Sequence, residues 1–253
     1  MVRGRDPRPR TGSCAFRADD TVTRGELAEL FAEATGTEAA AVATPEVPLS
    51  IQDLDARLVA ALGLTPDAKA FAAGAKAAGL APPSRFGTEA VARLPGLRKN
   101  NAAKDDALLE RLPAEPASRA EAAYSLARIV RFHGYEVERL RNASAAFQLP
   151  ALTDWERRIL ATAFKLIGYP YVWGGTSGGY DCSGFVWRVY KLQAYSSSGA
   201  LSATLRGRTT YVGNGWFVHS SRYGVALELL SGWNEERFAW ARRPLAEAGL
   251  APS

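Results

Sequence analysis

The chain has 253 residues, 47% hydrophobic and 23% charged, with a formal net charge of +5. That length suits one large domain or two small ones, and no apolar run approaches the roughly 18 residues that a membrane span requires. Two cysteines, Cys14 and Cys182, and two histidines, His133 and His219, are too few and too scattered for a disulfide framework or a zinc cluster.

The positive charge suits anionic surroundings. The arginines are spread along the chain without a basic-aromatic motif, which reads as a solvated basic surface and gives no nucleic-acid partner. The start, Met1 to Arg10, is basic but no apolar segment follows it, so it does not read as a signal peptide. Residues 1–13 are expected to be a disordered basic tail.

Helical signals then follow in order. Thr23 and Glu26 form a capping box ahead of a stripe of Leu27, Leu30, Phe31 and Ala34, and Gly36 stops the helix. A second helix fits Gln52 to Leu62, with Leu54, Leu58 and Ala61 on one face. A third fits Pro66 to Ala78, and a short one Thr88 to Leu94. Ser118 and Glu121 open another capped helix to Phe132, with Ala122, Leu126, Ile129 and Val130 inside. His133 reads as a complement to that helix's C-terminal dipole. Residues 135–150 run from the end of that helix to Leu149-Pro150, and a domain boundary is placed there, near 148. Thr153 and Glu156 cap a further helix to Ile167, which is to bury Trp155, Ile159, Leu160 and Ala163.

The most informative stretch runs from Tyr169 to Trp187. An aromatic run leads into a turn with Gly174, Gly175, Gly178 and Gly179, and then Asp181-Cys-Ser opens an apolar helical pattern. Cys182 falls in the first helical turn, where free backbone N–H groups and the helix dipole favour a thiolate. From spacing alone, a nucleophile and an inert buried cysteine are equally good readings. Beyond it, Tyr195 to Arg208 shows little periodicity. Tyr211 to His219 reads as two strands around an Asn214-Gly215 turn, and Gly224 to Leu230 as another strand. Trp233 to Ala241 is amphipathic or extended.

Tyr171-Val-Trp-Gly-Gly-Thr-Ser followed by Gly179-Tyr-Asp-Cys-Ser-Gly-Phe-Val-Trp resembles the NlpC/P60 cysteine peptidases, which cut peptide stems of bacterial cell walls. The resemblance covers residues 150–240. It implies an α+β chain: a papain-like domain over 148–245 with a shortened antiparallel sheet, preceded by a mostly helical domain over 14–147. It further implies Cys182 as nucleophile, Tyr171 beside it, and Asp181 and Ser183 against the stem-peptide amine. Without the resemblance, Tyr171 reads equally well as a core aromatic, and Asp181 and Ser183 as helix caps. No cofactor is implied. The resemblance implies peptidoglycan stems as the partner, and the cell wall or extracellular space as the location. Thr23-Arg-Gly-Glu and Ser118-Arg-Ala-Glu weakly resemble the Thr-Arg-Ala-Glu signature of S-layer-homology modules. That likeness implies anionic wall polymers as partners of the helical part; an ordinary helical domain explains the same text.

The reaction requires a base, and in the resembled family it is a histidine on the strand before a Gly-Asn-Gly turn. Counting back from Gly213-Asn-Gly places that position at Gly207. The family also carries an additional strand between the cysteine helix and the base strand, for which Lys191 to Tyr211 has no counterpart. One strand and the base histidine are therefore expected to be missing, leaving a smaller sheet or a poorly packed C-terminal part. His219, in Phe217-Val-His-Ser-Ser, matches the position that orients the base. It has three readings: an orienting residue without a base, a substitute base, or an ordinary strand histidine. The resulting expectation is a stem-peptide hydrolase, or an inactive wall-binding protein derived from one.

Overall fold

The computed structural model describes residues 16–98, 111–194, 209–221, 224–236 and 238. Helices α1 (Arg24–Thr35), α2 (Ile51–Ala61), α3 (Thr65–Ala77), α4 (Phe86–Arg93), α5 (Arg119–Val130), α6 (Gly134–Ala145) and α7 (Asp154–Leu166) come first. Strands β1 (Thr176–Ser177) and β2 (Gly179–Tyr180) form a small hairpin before α8 (Cys182–Ala194). The last elements among the described residues are β3 (Thr209–Gly213), β4 (Trp216–Ser221), β5 (Gly224–Leu229) and a one-turn α9 (Trp233–Glu236). The expected α+β composition, helices followed by a small antiparallel sheet, is what the chain forms.

Helices α1, α2 and α5 begin in the same way and are joined at their starts. The residues just before each helix run extended and pair in a ring: Val22 N–H donates to Ala117 O at 2.9 Å, Ala117 N–H to Leu49 O at 2.8 Å, and Leu49 N–H to Val22 O at 3.0 Å. A second ring surrounds it, with Arg24 N–H on Val47 O, Ile51 N–H on Glu115 O and Arg119 N–H on Asp20 O. Val22, Leu49 and Ala117 are fully buried at the centre of this threefold arrangement. Thr23–Glu26 and Ser118–Glu121 make full capping boxes, and Ser50 accepts from Asp53 N–H. Each such cap contributes about 1 kcal/mol. The sequence shows two echoes of this start; the third, at Ser50, is hidden because Ile-Gln-Asp replaces Arg-x-Glu.

Two sets of expectations change. Ala34, Ala61 and Val130, assigned to buried stripes, are exposed. All three lie in the last turn of their helix, farthest from the joined starts. The stretch 135–150, expected to lead from the end of α5 to the boundary, is instead mostly helix: α6 (Gly134–Ala145) fills it to Ala145, and His133 is its N-cap residue. Its N–H donates to Glu136 Oε2 at 3.0 Å and its ring stacks on Tyr135. The expected complement to the C-terminal dipole of α5 is thus a helix start.

One buried cluster gathers α1, α2 and α5 around Leu27, Leu54, Leu58, Leu126 and Ile129. A larger one unites α3, α4, α7, α8 and the sheet. Trp216 of β4 is its centre, edge-on to Phe71 at 5.4 Å and Phe147 at 5.2 Å. Position 148 lies in the extended stretch between α6 and α7, and side chains from both sides of it share this cluster. Helices α3 and α4 cross so closely that a Cβ on Gly87 would lie 1.9 Å from Ala68 O.

Among the described residues the main sheet has three antiparallel strands in the order β3–β4–β5. Trp216, Val218 and Ser220 point to one face, and Phe217, His219 and Ser221 to the other. Val218, Val225 and Leu227 on the first face are fully buried. Beyond β5 the backbone of Gly168 and Tyr169 continues the pairing, with Gly168 N–H on Val225 O at 3.0 Å and Val225 N–H on Tyr169 O at 2.8 Å.

Candidate active site

The site is built where α7 ends and α8 begins. Gly168 stops α7 with φ +94 and turns the chain into Tyr169–Trp173. This run lies against β2: Tyr180 N–H donates to Pro170 O at 3.0 Å, and Val172 N–H to Tyr180 O at 3.2 Å. Tyr171 thus bridges Tyr180, two residues ahead of Cys182, and is itself half-buried.

Three glycines let the turn close on the helix start. A Cβ on Gly184 would lie 2.0 Å from Gly175 O, one on Gly179 2.2 Å from Val172 Cγ2, and one on Gly175 2.6 Å from Gly179 O. No side chain fits at any of them. Asp181 locks the closure. Its Oδ1 accepts from Gly184 N–H at 2.6 Å and from Ser183 Oγ at 2.9 Å, while Oδ2 accepts from Gly174 N–H at 3.0 Å. The Gly184 contact is an N-cap bond to the third helical residue. Burial raises the Asp181 pKa, but the bonds from Gly184, Ser183 and Gly174 outweigh it, and the carboxyl titrates below its usual range. A carboxylate offers about four acceptor directions, and donors of the turn itself, the N–H groups of Gly174, Ser183 and Gly184 and the Ser183 hydroxyl, engage them.

Cys182 is the first residue of α8, a half-buried free thiol. Phe185 and Val186, three and four residues on and so on the same side of the helix, are buried in the cluster that includes Val218 and Val225. Ser183 is exposed, its hydroxyl engaged by Asp181. Tyr171, Asp181, Cys182 and Ser183 are therefore brought together in one turn.

His219 is placed differently. It lies on the β4 face shared with Phe217, whose ring is 4.9 Å away, and its Nε2 is 3.1 Å from Glu228 Oε1 of β5. Glu228 also accepts from Asn234 Nδ2 at 3.2 Å. The residue of β4 that reaches toward the Cys182 turn is Ser220, buried, with its hydroxyl donating to Tyr180 O at 2.6 Å. Period-two counting from the buried Val218 would have found it. Gly207, the position counted for a base, lies outside the described residues, as does Cys14.

Curated relatives have been found. A probable peptidoglycan endopeptidase, LytE, of Bacillus subtilis is 31% identical over 113 residues, 34% of this chain and 34% of the relative. A gamma-D-glutamyl-L-lysine dipeptidyl-peptidase of the same organism is 29% identical over 102 residues, 29% of this chain and 34% of its own. This chain is a relative of bacterial peptidoglycan peptidases. A probable endopeptidase of Mycobacterium tuberculosis adds 32% identity over 96 residues, 28% of this chain and 25% of that one. The resemblance to NlpC/P60 cysteine peptidases thus stands on relatives as well as on its motif. The chain spans about a third or less of the length of these relatives. No protein-family model matches it. In the first match, 34% of 253 residues is about 86, so about 27 of the 113 aligned positions have no residue of this chain opposite them.

Proposed function

We propose that the Cys182 turn is a stem-peptide site and that the chain hydrolyses peptide stems of peptidoglycan with Cys182 as its nucleophile. The observation that carries this reading is a half-buried thiol at the N-terminus of α8, in a turn closed by Asp181 and three glycines. The names of the relatives support the substrate. The thiolate attacks a stem amide carbon, the C–N bond breaks and the amine leaves with a proton; water then releases the acyl group from sulfur. The negative charge of Asp181, with Ser183 and Tyr171 beside it, attracts the stem ammonium.

Proton transfer is the weak step. A positioned acid–base residue contributes about 10²–10⁴-fold, and His219 is turned to Glu228. Cleavage is therefore slower, by about that factor, than in a peptidase with a histidine at the base position. A missing strand and base belong to this proposal, and the unmatched aligned positions support them. So do a papain-like arrangement after residue 148, a wall location, and an anchoring role for residues 14–147 toward anionic wall polymers. A second reading, stem-peptide binding without cleavage, is favoured by the His219–Glu228 pairing.

Incubation of purified stem-peptide fragments with the chain and with Cys182→Ser, followed by mass spectrometry, tests the proposal. Slow cleavage lost in the variant is expected. Cleavage that persists in the variant overturns the nucleophile, and peptide that is bound but uncut establishes the second reading. Peptide neither bound nor cut overturns both.

A further inference from the structure

Helix α4 lies some 90 residues before Cys182 in the chain, yet its polar side chains grip the segment that forms the site. Arg85 Nη2 donates to Lys165 O at 2.6 Å and to Ile167 O at 3.2 Å, covering carbonyls that the end of α7 leaves unpaired. About two turns on, Arg93 Nη2 donates to Gly168 O at 3.1 Å, and its Nε is 3.4 Å from Glu89 Oε2. Both side chains of this pair are buried, at 2% and 0% exposure. Gly168 rests directly on it: a Cβ there would lie 2.8 Å from the Glu89 carboxylate carbon.

From Gly168 the hydrogen bonds run on without a break. Gly168 and Tyr169 pair with Val225 of β5, Pro170 and Val172 pair with Tyr180, and Ser220 fixes the Tyr180 carbonyl from β4. Two residues later comes Cys182. We infer that Arg93, held by Glu89, is a positioning residue for the Cys182 turn; this rests on reading that turn as a stem-peptide site. A buried guanidinium on a carbonyl fixes the exit of the chain from α7, and the five residues that follow carry Tyr171 and the wall of the turn. The helical part is thus a component of the site's frame and not a detachable anchor.

The test reads the geometry of the thiol as well as stability. In a Cys14→Ser background, iodoacetamide alkylation of Cys182 is followed against pH, with and without a synthetic peptide containing the γ-D-glutamyl-L-lysine bond. Glu89→Gln combined with Arg93→Met removes both charges in similar volumes and leaves no buried ion unpaired. Protection by the peptide is expected to weaken by about 10- to 100-fold, since misplacing a binding group by about 1 Å costs that much. The alkylation profile is expected to move along the pH axis. Arg93→Lys, which keeps the charge and one donor, recovers part of both. A folded double variant with wild-type protection and profile overturns the inference; if the double variant does not fold, a wild-type profile in Arg93→Lys overturns it. A wild-type chain unprotected by the peptide refutes the stem-peptide reading instead, while the shift in profile still decides the role of Arg93.

Discussion

At the starts of α1, α2 and α5, caps and extended backbones close on one another in a ring, and each side chain that the sequence marks as a cap acts as one. At β4 an equally well-marked residue, His219, faces Glu228 on the side of the sheet away from the buried cluster. The difference lies in how far the deciding information sits from the residue. A capping box is settled within four positions. The face a strand residue shows depends on register against other strands, and a one-residue slip reverses it. The Cys182 turn behaves like the first region, because Asp181, Ser183 and Gly184 bond within three residues of each other.

The largest effects should come from glycines at close approaches, one in each region. Gly184→Ala in the site and Gly87→Ala between α3 and α4 each force a Cβ to about 2 Å from a carbonyl oxygen. Each is expected to cost about 3 kcal/mol, or about 6–12 °C in melting temperature for a chain of this size. A thermal scan that finds either tolerated would show that region to be looser than its contacts. Next is Gly207→His, which returns an acid–base group to the counted position and should raise stem-peptide hydrolysis by about 100-fold. An unchanged rate would put the weakness elsewhere than in the base.

Smaller effects separate the two kinds of cap. Asp181→Ala and Ser118→Ala should each lower stability by about 1–2 kcal/mol, but only the former should abolish protection of Cys182 by stem peptide. The Asp181 contribution also has a pH signature. Its folded pKa lies below the unfolded value, so the stabilisation is present above about pH 4 and lost as pH falls through the folded pKa. Acid titration of the melting temperature should show a falling slope below about pH 4 that is shallower in Asp181→Asn. The smallest effect is expected from His219→Ala, less than about twofold in cleavage; a loss of about 10²-fold or more would make it the base after all.

Much of the fold was legible because its signals are local. Caps at Thr23, Ser118 and Thr153, the stop at Gly36 and the Asn214–Gly215 turn all lie where the residues indicate. The third unit of the ring was not, since Ser50-Ile-Gln-Asp lacks the Arg and Glu of the other two. Nor was the bracing of the site by α4. Glu89 and Arg93 have the i, i+4 spacing of an ordinary solvent-exposed pair, and only the packing of Gly168 onto them shows that they are buried. In the site, Asp181, Cys182 and Ser183 could be read from one contiguous motif. Alternation puts Ser220 on the face of Val218, but its bond to the Tyr180 carbonyl and the pairing of Glu228 with His219 could not be read, because they act across strands.

Acid quenching of the chain during incubation with stem peptide, followed by mass spectrometry of the Cys182 fragment, tests the central claim most directly. The account predicts a thioester on Cys182 that carries the acyl half of the cut peptide and is absent from Cys182→Ser. Cleaved peptide with no adduct, released equally by the variant, would contradict it.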